Sequence, residues 1–176
     1  MTAQKLPEPI DRLDERITGA LAKHAVTILR VALGIVFFWF GVLKYFPNVS
    51  PAELLAGRTI EQLSFGAIHP DVSLPFLATW EVLIGVGLIV GKWLRAVLFL
   101  LAVQMLGTLT PLLLFPSETF TIFPFAPTLE GQYIIKNIVL IGAAMVVGAT
   151  VRGGGLVADS RYAAPAGVAE GQTRPT

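Results

Sequence analysis

The sequence predicts an all-α fold: an integral membrane four-helix bundle with both termini cytoplasmic and a short amphipathic outer helix between the first and second spans. Three observations lead there. Apolar runs of about 20 residues, the length that crosses a hydrocarbon core of about 30 Å, recur along the chain. Charged residues make up 14% of it and the mean hydropathy is +0.70, whereas a soluble domain carries about 25% charge. The basic residues, finally, gather in the segments that would share one face of a membrane.

Residues 1–24 are polar but patterned. Ile10, Leu13, Ile17 and Leu21 recur at helical spacing while Asp11, Asp14, Glu15 and Arg16 take the other face, so this segment is expected to lie on the cytoplasmic membrane surface. Early acidic residues and a long apolar run are unlike a cleavable leader, and the first span is expected to be retained. The membrane domain, residues 25–151, divides into spans at about Ala25 to Phe46, Leu74 to Val90, Leu94 to Leu114 and Gln132 to Val151. The first contains RVALGIVFFWFGVLKYFP, with charge only at Arg30 and Lys44 and with Pro47 as its stop. Lys44 either snorkels outward or turns into the bundle. Gly91, Lys92 and Trp93 join the second and third spans as a tight hairpin. With Lys5, Arg12, Arg16, Lys23, Arg30, Lys92, Arg95, Arg152, Arg161 and Arg174 on one side and Arg58 in a loop on the other, the termini and that hairpin are cytoplasmic. Residues 152–176 lack apolar periodicity and read as a flexible cytoplasmic tail.

The two remaining connections then face outward. Ser50-Pro51-Ala52-Glu53 is a capping box, and Ala52, Leu55, Ala56, Thr59 and Leu63 form an apolar stripe behind it, which predicts a short helix against the outer surface. FPSETFTIFPFAPTLEG alternates aromatic residues with prolines and reads as a rigid loop half sunk in the interface. Both roof the bundle or merely anchor it. Gly34, Gly41, Gly87, Gly91, Ala144 and Gly148 allow close approach of helices.

Ionisable groups at membrane depth cost about 2.5 to 3.5 kcal/mol each on insertion, so their placement is informative. They concentrate in the outer halves of the spans. Lys44 ends the first, and Glu81 lies about 10 Å below the outer end of the second at 1.5 Å per residue. Gln104 is near the middle of the third with Thr108 one turn above it, while Lys136 and Asn137 in the fourth follow Gln132 and Tyr133 by one turn. The candidate ligand-binding residues are therefore Lys44, Glu81, Gln104, Thr108, Gln132, Lys136 and Asn137, with no catalytic residue assigned. Glu81 pairs with Lys44 or with Lys136, which leaves one lysine over and a net positive site. The same groups serve equally as a device that holds the helices in register.

Several chemistries are excluded. With no cysteine, the chain has no thiolate metal site, iron-sulfur ligation, disulfide exchange or cysteine nucleophile of its own. Its two histidines, His24 and His69, fall at opposite ends of the spans and cannot share a haem. His69 with Asp71, Glu61 and Glu53 matches no specific metal spacing, and no metal site is assigned. A net charge of +1 gives no hint of nucleic acid, and there is no phosphate loop, GxSxG or HExxH.

The helix RVALGIVFFWFGVLKYF, with Gly41 and Lys44, the stretch WEVLIGVGLIVGKWLRAV, with Glu81, Gly85, Gly87, Gly91 and Arg95, and the exit GGGLVADS together resemble the DoxX family of small four-helix membrane proteins, taken broadly to include its YkgB-like and DoxD-like relatives. Asp159 precedes Ser160 here, so neither is given a role. The outer aromatic loop is longer than the family's connection. The resemblance implies a left-handed four-helix bundle. It also implies a place in membrane redox systems, since some relatives are subunits of thiosulfate:quinone oxidoreductase, DoxX itself is linked to a membrane complex that handles oxidative stress, and others act in assembly or trafficking.

The expected function is thus a membrane subunit of a redox or respiratory-type system whose outer pocket binds a quinone headgroup or a small anion. Lys44 and Lys136 would supply positive charge, Glu81 would orient them or exchange a proton, and Gln104 and Asn137 would donate hydrogen bonds. An electron-transfer partner is required, and no covalently bound cofactor is expected. The alternative is a structural or assembly subunit that docks a larger membrane complex; a small-molecule transporter acting as an oligomer comes third. The expected setting is a bacterial-type plasma (inner) membrane, with the lipid bilayer and a membrane protein or a second copy as partners.

Overall fold

In a bilayer every backbone N–H and C=O has to find its partner inside the protein, which restricts this chain to helices wherever it crosses. The computed structural model describes residues 8–46, 49–50 and 53–156. Its elements in order are α1 (Glu8–Leu43), α2 (Glu53–Leu63), α3 (Pro70–Val90), α4 (Leu94–Leu109), α5 (Pro111–Leu114), α6 (Pro116–Thr119), β1 (Phe120–Ile122), β2 (Ala126–Pro127), α7 (Leu129–Ile135) and α8 (Asn137–Ala149). Four stretches are long and apolar enough to span a membrane: Arg12–Leu43, Pro70–Val90, Leu94–Leu114 and Leu129–Ala149. The expectations placed on Lys5, Pro47, Pro51, Ala52 and everything after Leu156, including Asp159 and Ser160, lie outside the described residues.

The first span is longer than expected. With its one proline, Pro9, confined to the first turn and no paired glycines to break it, the segment before residue 25 continues into the span as one helix of 36 residues. Its register against α3 shows where it extends. The Gly41 backbone lies beside Val82, Phe38 beside Gly85 and Gly34 beside Ile89, and Arg30 reaches Gly91 at the far end of α3. Residues 8–29 therefore run about 33 Å past the α3–α4 turn at 1.5 Å per residue, with Ile10, Leu13, Ile17 and Leu21 exposed along them.

The second span starts earlier than expected, because Pro70 fits the first helical position, where its missing N–H costs nothing, and His69 caps it in extended conformation. That puts Glu81 about 16 Å from the start of α3 instead of about 10 Å. At the other end Gly91 adopts a left-handed conformation (φ +76°), and its N–H reaches the Gly87 carbonyl at 2.9 Å. The Arg30 guanidinium donates to the Leu88 and Ile89 carbonyls and satisfies orphan acceptors of the last turn. A Cβ at residue 91 would stand 2.5 Å from Arg30 Nη1. Gly91→Ala combines this collision with about 1 to 2 kcal/mol of left-handed strain. A lowered melting temperature in mild detergent is the expected outcome.

The core sits at the hairpin end of the bundle and is wholly apolar: Leu33, Phe37, Ile84, Leu88, Val97, Leu101 and Met105. At the opposite end α2 packs on the start of α3, with Gly57 against Pro70 and Leu74. The aromatic connection after α5 is more structured than a plain loop. Thr119 and Thr128 pair their backbones (3.0 Å), β1 and β2 form a small antiparallel hairpin, and Thr128 caps α7 by accepting from the Gly131 N–H at 3.2 Å. Arg58 ties α2 to this connection through Glu118 at 2.8 Å and the Phe115 ring at 4.8 Å; the ion pair is exposed and contributes about 0 to 1 kcal/mol.

Candidate functional site

Two helix irregularities bring polar side chains toward one place. α1 ends at Leu43, where the Lys44 and Tyr45 N–H groups turn back to Gly41 and Val42. Lys44 is thus held at a helix C-terminus, where a cation is favoured by the carbonyl dipoles, and its Nζ donates to the Phe40 carbonyl at 3.5 Å. The fourth span is interrupted at Lys136, between α7 and α8. There the Asn137 side chain donates to the Tyr133 carbonyl (3.4 Å) and the Ile134 carbonyl (3.0 Å) and supplies donors at the break.

Between these points Glu81 is almost buried and doubly held. Lys44 Nζ donates to its Oε2 at 2.6 Å, and Gln104 Nε2 donates to its Oε1 at 2.9 Å. Both side chains of the ion pair are 10% exposed. The sequence left two partners open for Glu81, and the structure selects Lys44. Lys136 takes a different role: its Nζ lies 3.4 Å from the centroid of Tyr133 and 5.1 Å from that of Phe40, rings that meet edge-on at 5.8 Å. Among the described residues Lys136 has no carboxylate partner.

These groups border a cavity of about 160 Å³. Lys44, Glu81, Gln104, Thr108, Lys136 and Asn137 all line it, together with Phe40, Met105, Tyr133 and the α2 residues Leu55 and Thr59. Thr108 directs its hydroxyl proton back to the Gln104 carbonyl (2.9 Å), so toward the cavity it can only accept. Gln132 stands apart. It is exposed, lies outside the cavity lining and donates to the Pro127 carbonyl at 3.4 Å, one turn before Lys136. Tyr133 and Phe40 were not singled out from the sequence as site residues. The signal for Tyr133 was its position three residues before Lys136, which puts both on one helix face.

Chemically the arrangement is a neutral ion pair and an amide on a mostly apolar wall, with one further cation at the rim. His69 Nδ1 lies 3.3 Å from Glu61 Oε1 on the surface, and no cluster of three metal-ligating side chains exists among the described residues.

A family model described as DoxX matches residues 25–115. The chain belongs to the DoxX family. No curated protein and no solved structure matches it. The DoxX match contains Lys44, Glu81, Gln104 and Thr108, the hydrogen-bonded side of the cavity, whereas Tyr133, Lys136 and Asn137 come from the chain beyond it. A multi-pass membrane protein of the DoxX family follows from the match together with four membrane-length helices.

Proposed function

We propose that the cavity binds a quinone-type headgroup and that the protein is a membrane subunit of a redox system. One observation carries this: a Lys44–Glu81–Gln104 chain set in the wall of a mainly apolar cavity of about 160 Å³. A cavity of about 150 Å³ accepts a benzene-sized ring, so the space suits one ring with polar atoms on its edge. A small anion suits it less well, because the Lys44 charge is balanced by Glu81 and the remaining cation, Lys136, lies over aromatic rings at the rim. Lys44 and Gln104 would orient a ring oxygen by hydrogen bonds, and Glu81 would exchange a proton there. Reduction of a quinone takes two electrons and two protons. A partner protein would supply the electrons, and Glu81 would relay protons. With Lys92, Arg95 and Arg152 at the hairpin end, the positive-inside rule places that end in the cytoplasm and the cavity in the outer half of the membrane.

A second reading has its own support. Lys44, Glu81 and Gln104 satisfy one another, and no buried side-chain N or O atom among the described residues lacks a partner, as a device for holding helices in an assembly subunit would require. Purification in mild detergent followed by mass and absorbance analysis separates the two. Glu81→Gln is expected to lose co-purifying quinone while the bundle still assembles; retention at the wild-type level would remove Glu81 from the site.

A further inference from the structure

The cavity is a partly open cleft, walled on its several sides by different means. Toward the hairpin end lie the buried residues of the apolar core. The α1–α3 side is closed by main chain, since the backbones approach at Gly34, Gly41 and Gly85 too closely for a side chain to enter. The opposite end is covered by α2, with Leu55 and Thr59 buried beneath it. The seam between α1 and the α7–α8 junction is walled by side chains, with an exposed cation at its mouth. Phe40 meets Tyr133 edge-on, and Lys136 lies across both rings. Lys136 lines the cavity and is also exposed on the outside of the bundle. One turn further toward the hairpin end Val36 and Leu140, both half-buried, continue the cavity lining along the same seam.

We infer that this seam is the route by which the ligand enters from the bilayer, and that the ligand is an amphiphile with a single ring inside and an apolar tail lying outward past Val36 and Leu140. The inference deepens the headgroup reading and rests on it. A space that accepts one ring has no room for a tail, so a membrane-borne ligand has to leave its chain outside. Ring-edge and cation–π contacts are weak and local, and rotamer changes at Phe40 and Lys136 open them without breaking backbone hydrogen bonds. Opening the α1–α3 side would separate two helices along their length.

Because the chain has no cysteine, Thr108→Cys places a single thiol in the cavity. In lipid nanodiscs its labelling by a bilayer-dissolved alkyl maleimide is compared with labelling by a sulfonated maleimide confined to water. Rates are normalised to the exposed single sites Leu106→Cys on α4 and Phe65→Cys in the loop. The lateral route gives an alkyl rate at least about tenfold above the sulfonated one, because the charged reagent is excluded from the hydrocarbon. Adding Phe40→Ala raises only the alkyl rate; Phe40→Leu replaces it should the alanine variant fail to assemble. Equal rates for the two reagents, or no response to opening the ring contact, overturn the route. In the same discs a benzoquinone carrying a decyl tail is compared with the tailless ring. Retention at least about tenfold stronger for the tailed probe supports the tail's path along the seam, and equal retention overturns it. Binding of neither probe sinks the headgroup reading itself, a failure that the thiol rates, which need no ligand, keep distinct from failure of the route.

Discussion

Lys44→Met is expected to cost the bundle about 3 to 5 kcal/mol, because it orphans a carboxylate that is almost wholly out of water. Glu81 would keep the Gln104 amide, at 2.9 Å, as its remaining donor. Glu81→Gln should cost less, since the Lys44 ammonium keeps the Phe40 carbonyl and gains an amide oxygen in place of the carboxylate. The informative variant is the double replacement Lys44→Met with Glu81→Leu. Removing both charges of a buried pair in favour of apolar side chains is commonly neutral or stabilising, so the double variant should recover most of the stability that Lys44→Met loses. Reversible unfolding in mixed detergent micelles, read as a double-mutant cycle, measures this. Recovery with loss of quinone retention would mean that the pair serves the ligand. A double variant as unstable as Lys44→Met would instead make the pair a structural necessity and favour the assembly reading.

What the sequence made legible was depth, and what it hid was direction around each helix axis. Hydropathy located the four spans, and Gly91 marked the hairpin, because both depend on composition along a line. Glu81, Gln104, Asn137 and the two lysines were recognisable as polar groups at membrane depth. Which lysine met Glu81 was not legible, since Lys44 and Lys136 both fall within reach of its level and their azimuths are set by helix packing. The interruption at Lys136 carries neither proline nor glycine, so nothing in the local residues announced it, and Gln132, one turn from Lys136 in sequence, is exposed outside the cavity and bonded to the Pro127 carbonyl. The continuation of α1 before residue 25 was hidden by the opposite effect: the apolar stripe of Ile10, Leu13, Ile17 and Leu21 suggested a separate surface element, yet no residue there breaks a helix. The hairpin of β1 and β2 is too short, and too rich in proline around it, to show any alternation.

Gly85→Ala is expected to be the most disruptive single-methyl change along the α1–α3 contact. A Cβ there would collide with the Phe38 backbone nitrogen and lie 2.7 Å from its Cα, and main-chain atoms inside a helix cannot move out of the way singly. The whole of α1 would have to shift, which also opens the close backbone approaches at Gly34 and Gly41. Overpacking of this kind costs about 1 to 3 kcal/mol and more when backbone is displaced. Two other glycines make the argument quantitative. At Gly87 the added carbon meets Val97 Cγ2 at 2.5 Å, a side-chain methyl and not main chain, so Gly87→Ala should be milder. At Gly142 nothing lies within 4 Å, and alanine there should be neutral or stabilising by up to about 1 kcal/mol through helix propensity. The expected order of melting temperatures in detergent is Gly142→Ala at or above wild type, then Gly87→Ala, then Gly85→Ala. Equal effects at all three would mean that the α1–α3 contact is not closed by backbone. Since the same contact fixes Lys44 against Glu81, Gly85→Ala should also abolish ligand retention in whatever fraction still folds, whereas Gly142→Ala should leave it untouched.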